Sequence, residues 1–507
     1  MVTTVSTIAL FGLDGFEVTV ECNCENGIPE ISVIGLADVS VKESVDRIRS
    51  AAENNGLPFV RNRTTVNLAP ADRKKTGAYF DLPILVSLLK HTVLDCINTD
   101  DACFIGELSL KGELRHANGA LAMCLAAKNA GFRRIFLPAS NALEASWVDG
   151  VEVYPVENVK MLVEHLKGEK KIEIFTSRLT DGNMVLPEID FADIKGQQMA
   201  KRAMEIAAAG GHNVLLIGPP GAGKSMLSKA LAGILPDMTY EEMLECTNIH
   251  SVSGMLSKAS PRITRRPVRS PHHTVSHIGM VGGGVNPAPG EVTLAHNGVL
   301  FLDELPEFDK KTLEALRQPL EDGCITVTRA NYKLTYPSHF MLVGAMNPCP
   351  CGFFGSTQKF CSCTETQVHR YISKISGPLL DRIDIQIEVP AITYSQMTST
   401  DKAESSAEVK ARVNKARAFR RERLEKLGIE VGTFESEKHE NCGFTKEADE
   451  ILKKAFETLN LSARGYSRAV RVARTIADLD ASFEVLPRHV YEAVQMRSLD
   501  RKYFGNS

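Results

Sequence analysis

Phosphate binding is the chemistry that residue type and spacing indicate most directly. Gly218, Pro219, Pro220, Gly221, Ala222, Gly223, Lys224 and Ser225 form an uninterrupted G-x-x-x-x-G-K-[ST] run, followed by Met226. The run stands after the apolar stretch Val214–Ile217 and before a helical pattern, the strand, loop and helix order that such a loop requires. Its glycines let successive N–H groups and a helix N-terminus face a polyphosphate. Lys224 then reaches the β- and γ-phosphates, and the Ser225 hydroxyl becomes a Mg²⁺ ligand. Further along, the apolar stretch Gly298–Leu302 ends in Asp303 and Glu304. Nucleotide hydrolysis needs one acid to organise Mg²⁺ and another to orient the attacking water. Strand alternation sends the two carboxylates in different directions, which suits Asp303 to the metal and Glu304 to the water. Another apolar stretch, Phe340–Met346, ends in Asn347, whose amide can hold the water or sense the γ-phosphate.

Arginines follow. Arg382, within Gly377–Asp384, suits a finger donated to a neighbouring subunit's γ-phosphate, or else an ion pair to Asp381 or Asp384 in its own domain. Arg464 in the first turn of a C-terminal helix, or Arg468 one turn later, is expected over the bound nucleotide. Cys349, Cys351, Cys361 and Cys363 form a C-x-C-x9-C-x-C cluster. Four thiols match the ligand count of a structural Zn²⁺ site, although the inner spacing is tighter than usual and redox pairs or plain surface cysteines are the alternative. The other eight cysteines are scattered and read as packing residues.

The residues from Asn248 to Thr293 include Lys258, Arg262, Arg265, Arg266, Arg269, His272, His273 and His277, with no acid between Asn248 and Pro289. A basic, glycine-containing insert suits contact with a phosphate backbone, and equally a solvated loop. Cys324–Arg329 and Tyr332–Tyr336 alternate and are joined by Ala330-Asn331, a β-hairpin signal with Arg329, Asn331 and Lys333 at its tip. Arg265, Arg266, Arg269, Arg329, Asn331 and Lys333 are the candidate DNA contacts.

These groups need a framework. At 507 residues the chain is expected to form about three domains. A hydrophobic content of 43% and a charged content of 24% are those of a globular protein. No apolar run is long enough to span a bilayer and the N-terminus lacks a basic leader, so a cytoplasmic location is expected. A net charge of −3 leaves nucleic-acid binding to local basic surfaces. Strand and helix patterns alternate over residues 1–170, a linker covers 171–190, and 191–390 carry the phosphate-binding core. A second linker covers 391–407. Residues 408–507 read as helical, opening with Glu408–Leu427, which carries eight Lys and Arg and suits a solvated face. The expected class is α/β, a parallel sheet with helices on both faces, flanked by an N-terminal α/β domain and a C-terminal helical lid.

Two resemblances extend this. NLAPADRKKTGAYFDLPI and GELSLKGELRHANGALAMCLAAKNAGFRRIFLP resemble the ribosomal-S5-like fold shared with the Lon protease domain. Tyr79 stands where Lon-type chemistry needs a Ser, and Arg115-His116-Ala117 offers no Lys partner, so a non-proteolytic domain is expected. Over nearly the whole chain, FADIKGQQ, GPPGAGKS, RSPHHTVSHIGMVGGG, FLDELPEF, NPCPCG and GPLLDRIDI resemble the magnesium-chelatase-like ComM/YifB family of AAA+ ATPases. That resemblance implies a hexameric ATP- and Mg²⁺-dependent motor acting on branched or single-stranded DNA, promoting branch migration in recombination and natural transformation. It also makes Arg382 the trans finger, and the insert and hairpin pore loops. A magnesium-chelatase motor subunit and an ATP-dependent protein remodeller or protease are the alternatives.

Overall fold

Alternating burial along Val2–Phe11 and Asp14–Glu25 pairs these strands antiparallel, from Val2 opposite Asn23 to Phe11 opposite Asp14. The computed structural model describes all residues except 1, 96, 177–188, 257–260, 285–286, 330–331, 357–358, 399–402, 431, 433–437, 460, 498, 500–502 and 504–507. Most of the expected linker 171–190 therefore lies outside the described residues. The chain divides into two compact units, Met1–Gly182 with Tyr240–Ile263, and Asn183–Thr239 with Thr264–Ser507.

The first unit is a seven-stranded mixed sheet. Its order is Glu30–Ile34, Arg63–Ala69, Asp14–Glu25, Val2–Phe11, Ala102–Phe104, Arg134–Pro138 and Glu152–Val156. The helix Asp81–Leu89 is buried at every position, and Phe104, Phe136 and Tyr154 stack in series at 4.9 and 4.7 Å. Tyr79 accepts the Leu10 N–H at 3.2 Å. Burial pushes its phenol up to about 12, so it carries no nucleophilic anion near neutral pH. Cys22 and Cys24 lie with His91 in a cluster whose ligand atoms are within 4.8 Å of one another. Burial pushes the Cys22 thiol up to about 12, and it stays a packed, neutral side chain.

Within residues 191–390, Tyr240–Ile263 belongs to the first unit. The helix Tyr240–Val252 explains why. The Tyr240 hydroxyl donates to the Trp147 carbonyl at 2.5 Å while the two rings stack at 5.7 Å. Ser251 Oγ donates to the Glu144 carboxylate, and the Ser251 carbonyl accepts the Gly119 N–H at 3.1 Å. Arg262 ends this excursion with its guanidinium 5.2 Å over the Trp147 ring.

The second unit is built on a five-stranded parallel sheet in the order Val268–Arg269, Val299–Leu302, Met341–Met346, Val214–Ile217 and Ile385–Glu388. The last three strands but one are buried along their whole length, the pattern of parallel strands covered on both faces. Helices Gln198–Gly210 and Lys224–Ile234 share one core with Ser406–Lys426, Lys446–Leu459, Ala463–Leu479 and Pro487–Gln495, through residues such as Ala203, Leu227, Val413, Leu452, Ile476 and Val490.

The long basic helix is not a plain solvated face. Arg412 pairs with Glu205 and Glu404, Arg417 donates to the Ala209 carbonyl at 3.1 Å, and Arg423 pairs with the buried Asp478. The stretch after Glu304 carries two helices, Lys310–Ala315 and Arg317–Asp322. Pro319 has no N–H to give the carbonyl four residues back, and the ladder breaks there. The hairpin Cys324–Arg329 with Tyr332–Pro337 forms in the register that puts Arg329 opposite Tyr332. Among the described residues, no helix is long and apolar enough to cross a membrane.

Candidate functional site

The phosphate loop leaves the C-terminal end of Val214–Ile217 and closes into the helix Lys224–Ile234. Gly218 must be glycine, because a Cβ there would stand 2.2 Å from the Val389 carbonyl oxygen. Lys224 is buried, and its Nζ donates to the carbonyls of Gly218 at 2.7 Å and Pro219 at 2.9 Å, and to Asn347 Oδ1 at 3.1 Å. Burial lowers its pKa, against the pull of Asp303 and Glu304. Ser225 Oγ donates to Asp303 Oδ2 at 2.7 Å. Two adjacent ligands of octahedral Mg²⁺ lie about 2.9 Å apart, so this pair fits the ion with little movement. Glu304 follows in the left-handed region at φ 50°, its N–H bonded to Asp303 Oδ1 at 3.0 Å and its side chain exposed. Lys224, Ser225, Asp303, Glu304 and Asn347 thus meet at one edge, where the parallel strands end.

Two supports of this loop were not read from the sequence. Gln197 Nε2 donates to the Ala222 carbonyl at 3.2 Å and to the Pro390 carbonyl at 2.7 Å, which fixes the loop from below. Gly352, at φ 84°, leaves room for Pro220, whose Cδ would stand 2.5 Å from any Cβ there. The cysteine turn is therefore seated on the phosphate loop.

In that turn the sulfurs of Cys349, Cys351 and Cys361 are 3.4, 3.5 and 3.6 Å apart. The Zn–S length of about 2.3 Å gives a tetrahedral S···S edge of about 3.8 Å, so the sulfurs are spaced for one ion. Cys363 completes the group of four. Backbone N–H groups of Phe354, Cys351 and Cys363 point at Cys349, Cys363 and Cys361 from 3.3 to 3.4 Å, the donors that a metal-bound thiolate needs. The cluster could hold Zn²⁺.

The arginines lie elsewhere. Arg382 and Asp384 precede the strand Ile385–Glu388 and stand at the N-terminal edge of the sheet, beyond about 10 Å of strand from the phosphate loop. Arg382 is buried; its Nη1 donates to the Pro378 carbonyl at 2.7 Å and its Nη2 to Glu321. The ion pair left open by the sequence therefore forms with Glu321 and not with Asp381 or Asp384. Arg464 shares Glu321 at 2.8 Å, while Arg468 and Arg471 reach Asp384 at 3.3 and 2.7 Å. Burial alone would raise the Asp384 carboxyl, but Arg471 and Arg468 outweigh it and hold it down to about 2.

Arg464 or Arg468 was expected over the bound nucleotide, and the docking of Ala463–Leu479 at the opposite edge places both away from the phosphate loop of their own chain. With Arg382, Glu321 and Asn213 they line a cavity of about 560 Å³ that takes no phosphate-loop residue among the described ones.

Four of the six candidate DNA contacts can be located. Arg266 donates to the carbonyls of Pro236 and Asn297 at 2.9 and 2.7 Å, and Arg269 forms a two-pronged pair with Glu291 at 2.7 and 2.9 Å. Both hold the fold rather than present a free cation. Arg265 and Lys333 are exposed. Asn331 and the Arg329 side chain lie outside the described residues.

Three family models cover this chain. Magnesium chelatase, subunit ChlI, matches residues 190–397; subunit ChlI of Mg-chelatase matches 20–141; and the ChlI C-terminal model matches 403–497. The chain is similar to protein YifB of Salmonella typhimurium, 41% identical over 501 residues covering 98% of this chain and 97% of that one. It is also 41% identical over 499 residues to competence protein ComM of Haemophilus influenzae, covering 97% of each. This chain belongs to the ComM/YifB family of magnesium-chelatase-like AAA+ proteins. By contrast, the magnesium-chelatase 67 kDa subunit of Chlorobaculum parvum is 30% identical over 166 residues, 32% of this chain and 23% of that protein. The ComM/YifB relationship thus spans both units, whereas the Chlorobaculum likeness spans about a third of the chain.

Replacing Gly352 with Ala in this ComM/YifB protein forces a Cβ against Pro220 at a backbone angle that side chains avoid. ATP affinity is expected to fall on the order of tenfold, read by titration with a fluorescent nucleotide; unchanged affinity would show that the cysteine turn does not support the loop.

Proposed function

We propose that this protein is an ATP-hydrolysing motor that works as a ring, a hexamer, in the cytoplasm, and that moves on DNA to promote branch migration in homologous recombination and natural transformation. The observation that carries the ring is the position of Arg382, Arg464 and Arg468 at the sheet edge opposite their own phosphate loop. An arginine needed at a γ-phosphate must then serve the neighbour's nucleotide, and each site is shared by two subunits. The DNA side is supported by the competence protein that matches nearly the whole chain.

In this reading the backbone N–H groups from Gly221 to Met226 cradle the ATP phosphates and Lys224 turns from the Gly218 and Pro219 carbonyls to the β- and γ-oxygens. Ser225 and Asp303 hold Mg²⁺, whose charge offsets that of the phosphates when bound. Glu304 orients the attacking water, and Asn347 keeps it in place or reads the γ-phosphate. Arg265, Arg329, Asn331 and Lys333 contact the DNA backbone. Cys349, Cys351, Cys361 and Cys363 hold a structural Zn²⁺ that stiffens the turn against Pro220.

Metal analysis of the purified protein should return one zinc per chain, and none after Cys351→Ser; a zinc-free wild type that hydrolyses ATP at full rate sinks the zinc assignment. On a synthetic four-way DNA junction, wild type should drive strand exchange with ATP, while Glu304→Gln should hydrolyse ATP at least about a hundredfold more slowly and leave the junction intact. Hydrolysis indifferent to every DNA structure would remove the motor reading. Finally, Arg382→Ala and Lys224→Ala subunits, each inactive alone, should regain part of the activity in mixed rings, since some interfaces then join an intact loop to an intact arginine. Verified mixed rings without activity would exclude Arg382 as the shared residue.

A further inference from the structure

Where the basic helix Ser406–Lys426 meets Ala463–Leu479, their charged side chains turn toward one another. Arg420 and Arg423 of the first and Arg471, Arg474 and Asp478 of the second enclose a cavity of about 110 Å³ against the turn that ends Gln198–Gly210. Spacings of three and four residues put each set on one face of its helix.

Charge in this cavity is out of balance. Asp478 is the one carboxylate that lines it among the described residues. Arg423 reaches Asp478 at 3.2 Å and Arg474 reaches it at 3.0 Å, and each of the three side chains is 5% exposed. Two buried guanidiniums on one carboxylate leave a positive charge out of contact with bulk water, which is unfavourable until an anion offsets it. Their remaining bonds go to neutral groups. Arg474 Nη1 donates to the carbonyls of Cys442 and Phe483 at 2.8 Å, and Arg423 Nη1 donates to that of Asn441 at 3.3 Å. Burial lowers the Arg474 pKa, Asp478 opposes the shift, and Arg423 adds to it.

The other groups at the cavity do not supply the missing negative charge. Arg420 adds a third guanidinium; it is half-buried and forms no ion pair among the described residues. Arg471 is already held by Asp384 at 2.7 Å. His212 Nε2 lies 2.8 Å from Thr475 Oγ1, whose own proton goes to the Arg471 carbonyl at 3.0 Å, so the imidazole is the donor. Burial holds His212 down to about 3, and it contributes no charge near neutral pH.

We propose that this cavity binds a small, doubly charged oxyanion of the phosphate type between Arg420, Arg423 and Arg474. Three guanidiniums against one carboxylate leave two positive charges, which a dianion cancels, and guanidinium–oxyanion hydrogen bonds are among the strong ones. A water takes about 30 Å³ in the liquid, so the space admits a few waters or one tetrahedral anion and excludes a nucleotide. Arg471, 31% exposed, stands at the mouth. The site is separate from the phosphate loop, because His212 precedes the strand Val214–Ile217 and Gly218 follows it.

Calorimetric titration of the full-length protein with inorganic phosphate, in chloride buffer at constant ionic strength, tests the site. Lys224→Ala is the background, since the phosphate loop itself takes phosphate. One phosphate per chain should bind, and adding Arg420→Ala should weaken it about tenfold or more. Thermal unfolding supplies the second reading. In chloride, Arg420→Ala should unfold at the temperature of its parent or higher, because one of three mutually repelling cations is gone. In phosphate the parent should gain several degrees and Arg420→Ala should not. No phosphate uptake by Lys224→Ala, or uptake that Arg420→Ala leaves unchanged, overturns the proposal. Equal stabilisation of both proteins by phosphate also does so, as the mark of general salting. A lower unfolding temperature for Arg420→Ala in chloride overturns it too, since the charge there would already be balanced within the chain.

Discussion

A parallel sheet has two unlike edges, and everything else in the second unit depends on that. All strands deliver their C-terminal ends to one side, where backbone amides and carboxylates from three loops converge. The lysine, the hydroxyl, the two acids and the amide collect there without long side chains because each sits within two residues of a strand or helix end. The same rule sends whatever precedes a strand to the other side. Arg382 and Asp384 precede Ile385–Glu388, and the helix that bears Arg464 and Arg468 docks against them. Positive charge that would suit a polyphosphate is thus kept a strand's length from the chain's own loop.

Charge is balanced at that second edge with few groups. Glu321 takes both Arg382 and Arg464, and Asp384 takes Arg468 and Arg471. Arg382 is buried, and burial, followed by repulsion from Arg464 and Arg317, lowers its pKa. Its Nε has no hydrogen bond among the described residues. Such an arginine is under-satisfied where it stands, so exchanging Glu321 for a more highly charged anion is electrostatically favourable. At the first edge the reverse holds: Lys224 rests on two carbonyls and an amide oxygen, weak acceptors that a phosphate outcompetes.

Legibility from sequence followed the range of the interactions. The phosphate loop, Asp303 with Glu304, Asn347 and the hairpin are local: each motif lies on or beside one element, so spacing placed it. Arg464 and Arg468 depended on where a distant helix docks, and no property of their own helix carries that. Arg269 looked free because its neighbourhood in sequence lacks acids, yet Glu291 closes on it from 22 residues away. Gln197 was visible beside a helix start, but its partners at Ala222 and Pro390 are set only by tertiary folding. The pairing of Gly352 with Pro220 joins two turns that sequence separates by more than a hundred residues and that neither turn's composition announces.

The excursion of Tyr240–Ile263 has a consequence for how this molecule comes apart. Because that segment leaves the second unit after Thr239 and returns at Thr264, the backbone passes between the units at three points. A protease that nicks the chain near residue 180 would yield two fragments still bound to each other through an intact segment, not two free domains. Nor can the first unit be deleted as an appendage at the level of the gene, since the remaining chain would carry Tyr240, Met243 and Leu244 stripped of the apolar partners they now cover. The first unit is thus encoded on both sides of the phosphate loop, by Met1–Gly182 before it and Tyr240–Ile263 after it.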